Sequence, residues 1–212
     1  MTKMKRFLLA ILLSVQAVVP TAALNVVLAG GSGDLGKGLA GALGPRHKVT
    51  ILSRNAYLAS APNRVTEAFG WVGESFLKKN PQVKIRDWDG GDLLDIVGQD
   101  WVGWQQDTLA KADVVVNLCG GYTQQRNMAT ERIVRESLSV NPDALQVTVS
   151  PTEEDLELVS PGAMTMKLDR IKQCEEMVSV NCANHVCLRF EANRIEENCQ
   201  KLKEVIEGFD AE

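Results

Sequence analysis

From residue 25 almost to its end, the chain alternates short β-branched runs with stretches whose apolar residues recur every three or four positions. The runs are Asn25–Ala29, Lys48–Leu52, Val83–Trp88, Asp113–Leu118, Leu145–Ser150 and His185–Phe190. Runs of this kind alternating with helical patterns predict the strands of a parallel α/β sheet. Helical periodicity predicts helices over about 34–43, 64–79, 128–140, 166–180 and 192–206. In the second of these, Val65, Ala68, Phe69, Val72, Phe76 and Leu77 share one face and Trp71 lies off it. A Pro-containing loop precedes that helix. A turn-rich region with Trp101 and Trp104 leads through a short helix to Ala112, and residues 152–163 predict a polar loop. Gly44-Pro45, Pro81 and Asn141-Pro142 supply helix stops.

Strands alternating with helices predict an α/β fold: a doubly wound parallel sheet of six strands in the order 3-2-1-4-5-6, in a single domain over residues 24–212. Ligands of such sheets sit at the carboxyl ends of the strands, around the switch point between the first and fourth. Residues that directly follow strands are therefore the candidates for chemistry. His47 and His185 precede strands, which puts them at the opposite edge in structural roles.

The first candidate is the turn after the first strand, Gly30-Gly31-Ser32-Gly33-Asp34-Leu35-Gly36. Glycines let the backbone turn through positive φ and let a ligand approach the main chain. A helix that starts at once offers free N–H groups and a positive dipole end to phosphate. Strand, glycine turn and helix together predict a seat for a dinucleotide pyrophosphate, with the glycines spaced one residue differently from the common G-x-G-x-x-G form.

The N-terminus changes the picture of the chain's ends. Lys3, Lys5 and Arg6 precede an apolar stretch, Phe7 to Val19, broken only by Ser14 and Gln16, and Pro20 to Ala23 supplies small residues. That pattern predicts a signal peptide, residues 1–23, too short for a comfortable membrane span. Cleavage after Ala23 leaves 189 of the 212 residues for the secretory pathway, or for a plastid reached through it. An uncleaved anchor or a mistaken start codon is the competing expectation. Cleavage also lowers the basic residues from 23 to 20 against 27 acidic ones, a charge of −7. No basic cluster is left to suit nucleic acid or an anionic membrane. The five cysteines, Cys119, Cys174, Cys182, Cys187 and Cys199, match neither a disulfide framework nor a zinc pattern, so no metal site is expected. Buried free thiols are the favoured expectation, with a Cys182–Cys187 bridge conceivable in an oxidising compartment.

Further candidates follow the second, third and fourth strands. An NAD-preferring site places an acid after the second strand. Here Ser53-Arg54 stands instead, and an arginine can pair with a 2′-phosphate, which points to NADP with NAD still possible. An ordinary surface arginine explains the spacing equally well. Asp89 could hydrogen-bond the adenine amino group, or serve Asp89-Gly90-Gly91 as turn chemistry. Asn117, Cys119, Gly120 and Gly121 would pass beside the ribose and nicotinamide, with Asn117 tying neighbouring backbone together.

These motifs together resemble the short-chain dehydrogenase/reductase superfamily, and most closely its atypical branch of nucleoside-diphosphate-sugar epimerase-like proteins. The glycine turn, Ser53-Arg54, Trp88-Asp89-Gly90 and Val115-Val116-Asn117-Leu118-Cys119-Gly120-Gly121 carry the resemblance, joined by Arg126, Arg132 and Arg135-Glu136-Ser137 in the following helix. It runs from Leu24 to about Phe190. The resemblance implies an acid/base tyrosine four residues before a lysine, with a Ser or Thr at the fifth strand orienting substrate. On that pattern Lys172 falls on the lysine, Ser150 or Thr152 on the hydroxyl, and Leu168 on the tyrosine. Tyr122, near the crevice, is the one available substitute. The resemblance also implies a substrate lobe beyond the sixth strand, where residues 191–212 supply a Glu/Lys-rich helix with Glu196, Glu197, Lys201, Lys203 and Glu204 on a solvated face. The expectation is an NADP-binding Rossmann domain without the standard Tyr-Lys chemistry, in a cofactor-sensing or assembly role. An NADP-dependent oxidoreductase or epimerase-like enzyme with other acid/base groups is the alternative. Related domains pair through the helices after the fourth and fifth strands, which makes a homodimer or a protein partner an expectation too.

Overall fold

The structure, a computed structural model, describes residues 22–60, 64–66, 70–71, 75–88, 103–119, 124–159 and 164–209. Residues 1–21 of the expected signal peptide, and Asp89, Gly90, Gly91, Trp101, Gly120, Gly121 and Tyr122, lie outside the described residues. The six expected strands are present as β1 (Asn25–Ala29), β2 (Lys48–Ser53), β5 (Lys84–Asp87), β6 (Val114–Asn117), β7 (Leu145–Pro151) and β8 (His185–Phe190). They form one sheet in the order β5-β2-β1-β6-β7-β8, with every pairing parallel. Counted along the chain, that is the expected order 3-2-1-4-5-6.

Alternation along the strands feeds two cores. Val26 and Leu28 of β1, with Val49, Ile51, Val114, Val116 and Val147, face one side. There they meet Leu39 and Leu43 of α1 (Asp34–Leu43) and Leu202 and Ile206 of α7 (Ile195–Glu207). Val27, Ala29, Leu52 and Val115 face the other side. Their partners are Ala129 and Ile133 of α4 (Gln124–Val140), Val178 of α6 (Met164–Asn181), and Trp88 and Trp104, whose rings meet edge to face at 5.6 Å. Each fully buried side chain of this size contributes about 1.5–3 kcal/mol. Register is pinned because a one-residue slip would exchange the sets that pack into the two cores.

Two expected elements differ. Residues 64–79 are not one helix. They hold the short antiparallel pair β3 (Arg64–Thr66) and β4 (Gly70–Trp71), then α3 (Phe76–Lys79), a single turn capped by Ser75 Oγ. Val65 and Thr66 are β-branched, and Gly70 and Gly73 are poor helix formers, which outweighs the apolar spacing. Residues 152–163 are not loop throughout. Thr152 Oγ1 accepts the Asp155 N–H at 3.3 Å and starts α5 (Glu153–Val159), whose first turn carries Glu153, Glu154 and Asp155. Acids there complement the positive helix end. The loop after β2 also begins with a turn of helix, α2 (Ala56–Ser60), whose Ala56 N–H is taken by the Asp87 carboxylate at 2.6 Å. The short helix before Ala112 is a π-helical turn, Gln105–Leu109.

The amino edge of the sheet is held by polar side chains. His47 is buried; its Nδ1 accepts the Leu24 N–H at 3.2 Å, and its Nε2 lies 3.3 Å from Glu207. His185 Nδ1 lies 2.9 Å from the Cys182 carbonyl oxygen. Asp113 accepts both the backbone and side-chain N–H of Asn25. Among the described residues, no helix is long and apolar enough to cross a membrane.

Candidate functional site

The glycine turn joins β1 to α1 at the carboxyl edge, and its glycines have different reasons to be there. Gly30 adopts φ +74°, a left-handed conformation that L side chains rarely take, and its N–H donates to the Leu52 carbonyl at 3.0 Å. A Cβ on Gly30 would also press on Cys119, 3.0 Å from its sulfur. Gly31 lies against Leu28, and Gly36 against the Gly31 backbone, so the first turn of α1 packs directly on the loop. Gly33 is unlike these. It is the N-cap of α1 at φ −77°, ψ 178°, and a Cβ there would meet nothing within 4 Å. Neither backbone conformation nor packing requires glycine at 33. No side chain caps this helix end, so its first N–H groups are left for another acceptor. Ser32 is half-buried and Asp34 is exposed in the first helical turn; Leu35 packs on the core from the same turn.

The loop after β6 forms the facing wall. Asn117, buried at the end of β6, accepts the Cys119 N–H on Oδ1 at 3.0 Å. Its Nδ2 donates to Thr130 Oγ1 at 3.0 Å, and Thr130 in turn donates to the Arg126 carbonyl at 2.9 Å. Asn117 thus fastens the 117–119 backbone to α4. Burial pushes the Cys119 thiol up to about 12, although the nearby Arg126 and Arg54 guanidiniums pull the other way. It is a neutral, unreactive wall group at physiological pH. All five cysteines are free, Cys187 exposed and Cys174, Cys182 and Cys199 buried.

Ser53 is buried at the end of β2, in register with Asp87 of β5, and its Oγ lies 3.3 Å from the Asn55 N–H. Arg54, the next residue, is exposed at the carboxyl edge. Asp87, paired with Ser53 on the neighbouring strand, holds the Ala56 N–H.

The residues expected to react sit less favourably. Ser150 is buried and its hydroxyl accepts from Arg126 Nη2 at 3.0 Å. Thr152 caps α5. On α6, Lys172 is exposed and Leu168 half-buried. The face of that helix turned to the sheet carries Lys167, Ile171, Cys174 and Val178. Lys167, 7% exposed at the carboxyl edge, is a residue that motif spacing missed. Its position four residues before Ile171 on the buried stripe was the available signal. Arg126 was noticed only as part of a basic helix, and its burial came from the structure. Among the described residues there is no group of three His, Cys, Asp or Glu able to hold a metal ion.

No protein-family model matches the sequence, and no curated protein is significantly similar to it. Solved structures are similar in fold. A protein from Corynebacterium glutamicum described as a short-chain dehydrogenase/reductase is 14% identical, with 88% of this chain aligned to 94% of that one and a TM-score of 0.52. The Bordetella bronchiseptica enzyme WbmG, solved with NAD, is 13% identical, covering 81% of this chain and 54% of its own, with a TM-score of 0.52. The enzyme WbmF of the same organism, solved with NAD+ and UDP, is 14% identical over 80% of this chain and 50% of its own, with a TM-score of 0.51. The chain spans about half the length of the two Bordetella enzymes. At these identities the shared property is the Rossmann-type fold alone.

Proposed function

We propose that the protein binds a nicotinamide dinucleotide, NADP in preference to NAD, at the carboxyl ends of β1, β2 and β6. Gly33 carries this reading: a helix N-cap with open space where a side chain would stand and no side chain on the first-turn N–H groups. That cradle fits a pyrophosphate. Gly30, Gly31, Ser32, Gly33, Asp34, Leu35 and Gly36 would form it. Ser53 and Arg54 would meet the adenosine ribose, where the exposed guanidinium suits a 2′-phosphate. Asn117 would present the 117–119 backbone to the nicotinamide half. NAD in the WbmG and WbmF structures supports a dinucleotide on this fold and leaves the preference for NADP to Arg54. When bound, the cofactor supplies hydride chemistry.

The role we favour is cofactor sensing or assembly without the standard Tyr-Lys chemistry. Leu168 cannot give or take a proton, Lys172 faces solvent, and Ser150 is occupied by Arg126. One observation favours an enzyme instead: Lys167 is buried in the first turn of α6, on the side of the carboxyl edge of the sheet, where an amine could serve an oxidoreductase or epimerase-like reaction. Titration of the chain from Leu24 onward with NADPH and NADH, followed by nicotinamide fluorescence, tests the shared claim. Saturable binding is expected, tighter for NADPH. No binding of either at millimolar cofactor would exclude both readings.

A further inference from the structure

Arg126 stands on the first turn of α4 and is only 3% exposed. Its Nη2 donates to the Val149 carbonyl at 2.9 Å and to Ser150 Oγ at 3.0 Å. Both acceptors are neutral. Its Nε is buried with no hydrogen-bond partner. No carboxylate pairs with it among the described residues, although Arg132 and Arg135 further along the helix have acidic partners. The flanking segments 120–123 and 160–163 contain no Asp or Glu in their sequence. The neighbouring Cys119 is a neutral thiol and supplies no counter-charge. A guanidinium withdrawn from water needs both an anion and acceptors for its remaining donors. Val149 and Ser150 engage both hydrogens of Nη2 and leave the Nε–H without a partner.

We propose that Arg126 anchors an oxyanion, a carboxylate or phosphate group of a ligand, at the carboxyl end of β7, two strands across the sheet from the β1 strand that leads into the glycine turn. The N-terminal end of α4 adds its positive dipole to the same place. Ser150 is then a positioning residue that holds the guanidinium, which explains a hydroxyl at the strand end without giving it a proton to transfer. The ligand class is a small acidic metabolite or phosphate ester. The proposal stands on Arg126 alone and does not depend on dinucleotide binding.

The test uses the chain from Leu24 onward with two probes, inorganic phosphate and malonate, each titrated while the arginine 15Nε–1Hε resonances are followed. A saturable downfield shift of the Arg126 Nε–H, assigned through bonds in the unsubstituted protein, is expected with one probe or both. A response to phosphate alone assigns a phosphate ligand, and one to malonate alone a carboxylate. An unmoved Arg126 resonance at tens of millimolar of both probes overturns the proposal, whether or not the glycine-turn amides respond. In calorimetry with the responding probe, Arg126→Met should weaken binding at least tenfold, while Arg135→Met, at an exposed guanidinium of the same helix, should leave it within twofold. The opposite pattern also overturns it. The resonance experiment needs no variant, so a misfolded Arg126→Met leaves the test intact.

Discussion

Gly36 lies so close to Gly31 that a methyl group on it would overlap the Gly31 carbonyl and Cα. Gly33, midway between them, faces open space. Two glycines of one motif therefore differ: packing requires Gly36, and Gly33 is left to the ligand role proposed for it. Gly36→Ala should destabilise the protein by more than ~2 kcal/mol, as overpacking against backbone does. Gly33→Ala should cost under about 1 kcal/mol, the scale of an N-cap change, yet weaken dinucleotide binding. Urea melts and cofactor titrations on both variants separate the effects, and equal stability losses would contradict the assignment.

The Arg54 guanidinium is the group expected to read the cofactor's 2′ position. Arg54→Ala should weaken NADPH by roughly tenfold or more, on the scale of a hydrogen bond to a charged group, and NADH by much less. Equal losses for the two cofactors would refute the 2′-phosphate role.

Asn117 and Thr130 are both buried and hydrogen-bonded to each other. Thr130→Val leaves the Asn117 amide short of an acceptor and should cost ~1–3 kcal/mol. Because Asn117 also holds the Cys119 N–H, cofactor affinity should fall with stability in Asn117→Ala, measured by thermal melts with and without NADPH.

Lys167 is buried on α6 and Lys172 is exposed. Lys172→Met should change stability by no more than about 0.5 kcal/mol, as surface substitutions do, and leave NADPH binding unaltered. Lys167→Met should move at least one of the two. If Lys172→Met alone impairs NADPH binding, the motif spacing identifies the working lysine and burial does not.

Cys119 makes the protein sensitive to alkali. Its thiol is raised from 9.0 to about 12 in the folded chain, so the unfolded chain loses the proton first. Stability is then full below about pH 9 and falls as pH climbs toward 12, by at most about 1.4 kcal/mol per unit. Cys182, Cys187 and Cys199, also raised by burial, add in the same direction. Chemical melts between pH 7.5 and 10.5 should show a shallower decline for Cys119→Ala than for the unsubstituted protein.

Six strands and their order were legible in the chain because each strand's apolar run is local and each helix between them forces a parallel crossover. β8 runs from His185 to Phe190 and α1 from Asp34 to Leu43, as the pattern predicts. The segment from Arg64 to Lys79 misled because six apolar residues at helical spacing looked stronger than two glycines and a β-branched pair. Of the candidate site, the glycine turn, Arg54 and Asn117 were legible for the same local reason: each stands directly after a strand.

Contacts between distant residues were not. Asp87 caps Ala56 from a neighbouring strand. Asn117 finds Thr130 across a loop, and Arg126 takes the hydroxyl of Ser150 that a motif would give to substrate. Which of Lys167 and Lys172 is buried depends on the face α6 turns to the sheet. Periodicity and glycine placement act over a few residues, so the amino-acid sequence by itself determines the sheet, its order and the glycine turn at its carboxyl edge. Side-chain partnership depends on what folding brings within about 3 Å. Only the tertiary structure could decide that Ser150 is engaged, that Cys119 is a half-buried neutral thiol, and that Arg126 is a buried cation with an unpaired Nε–H.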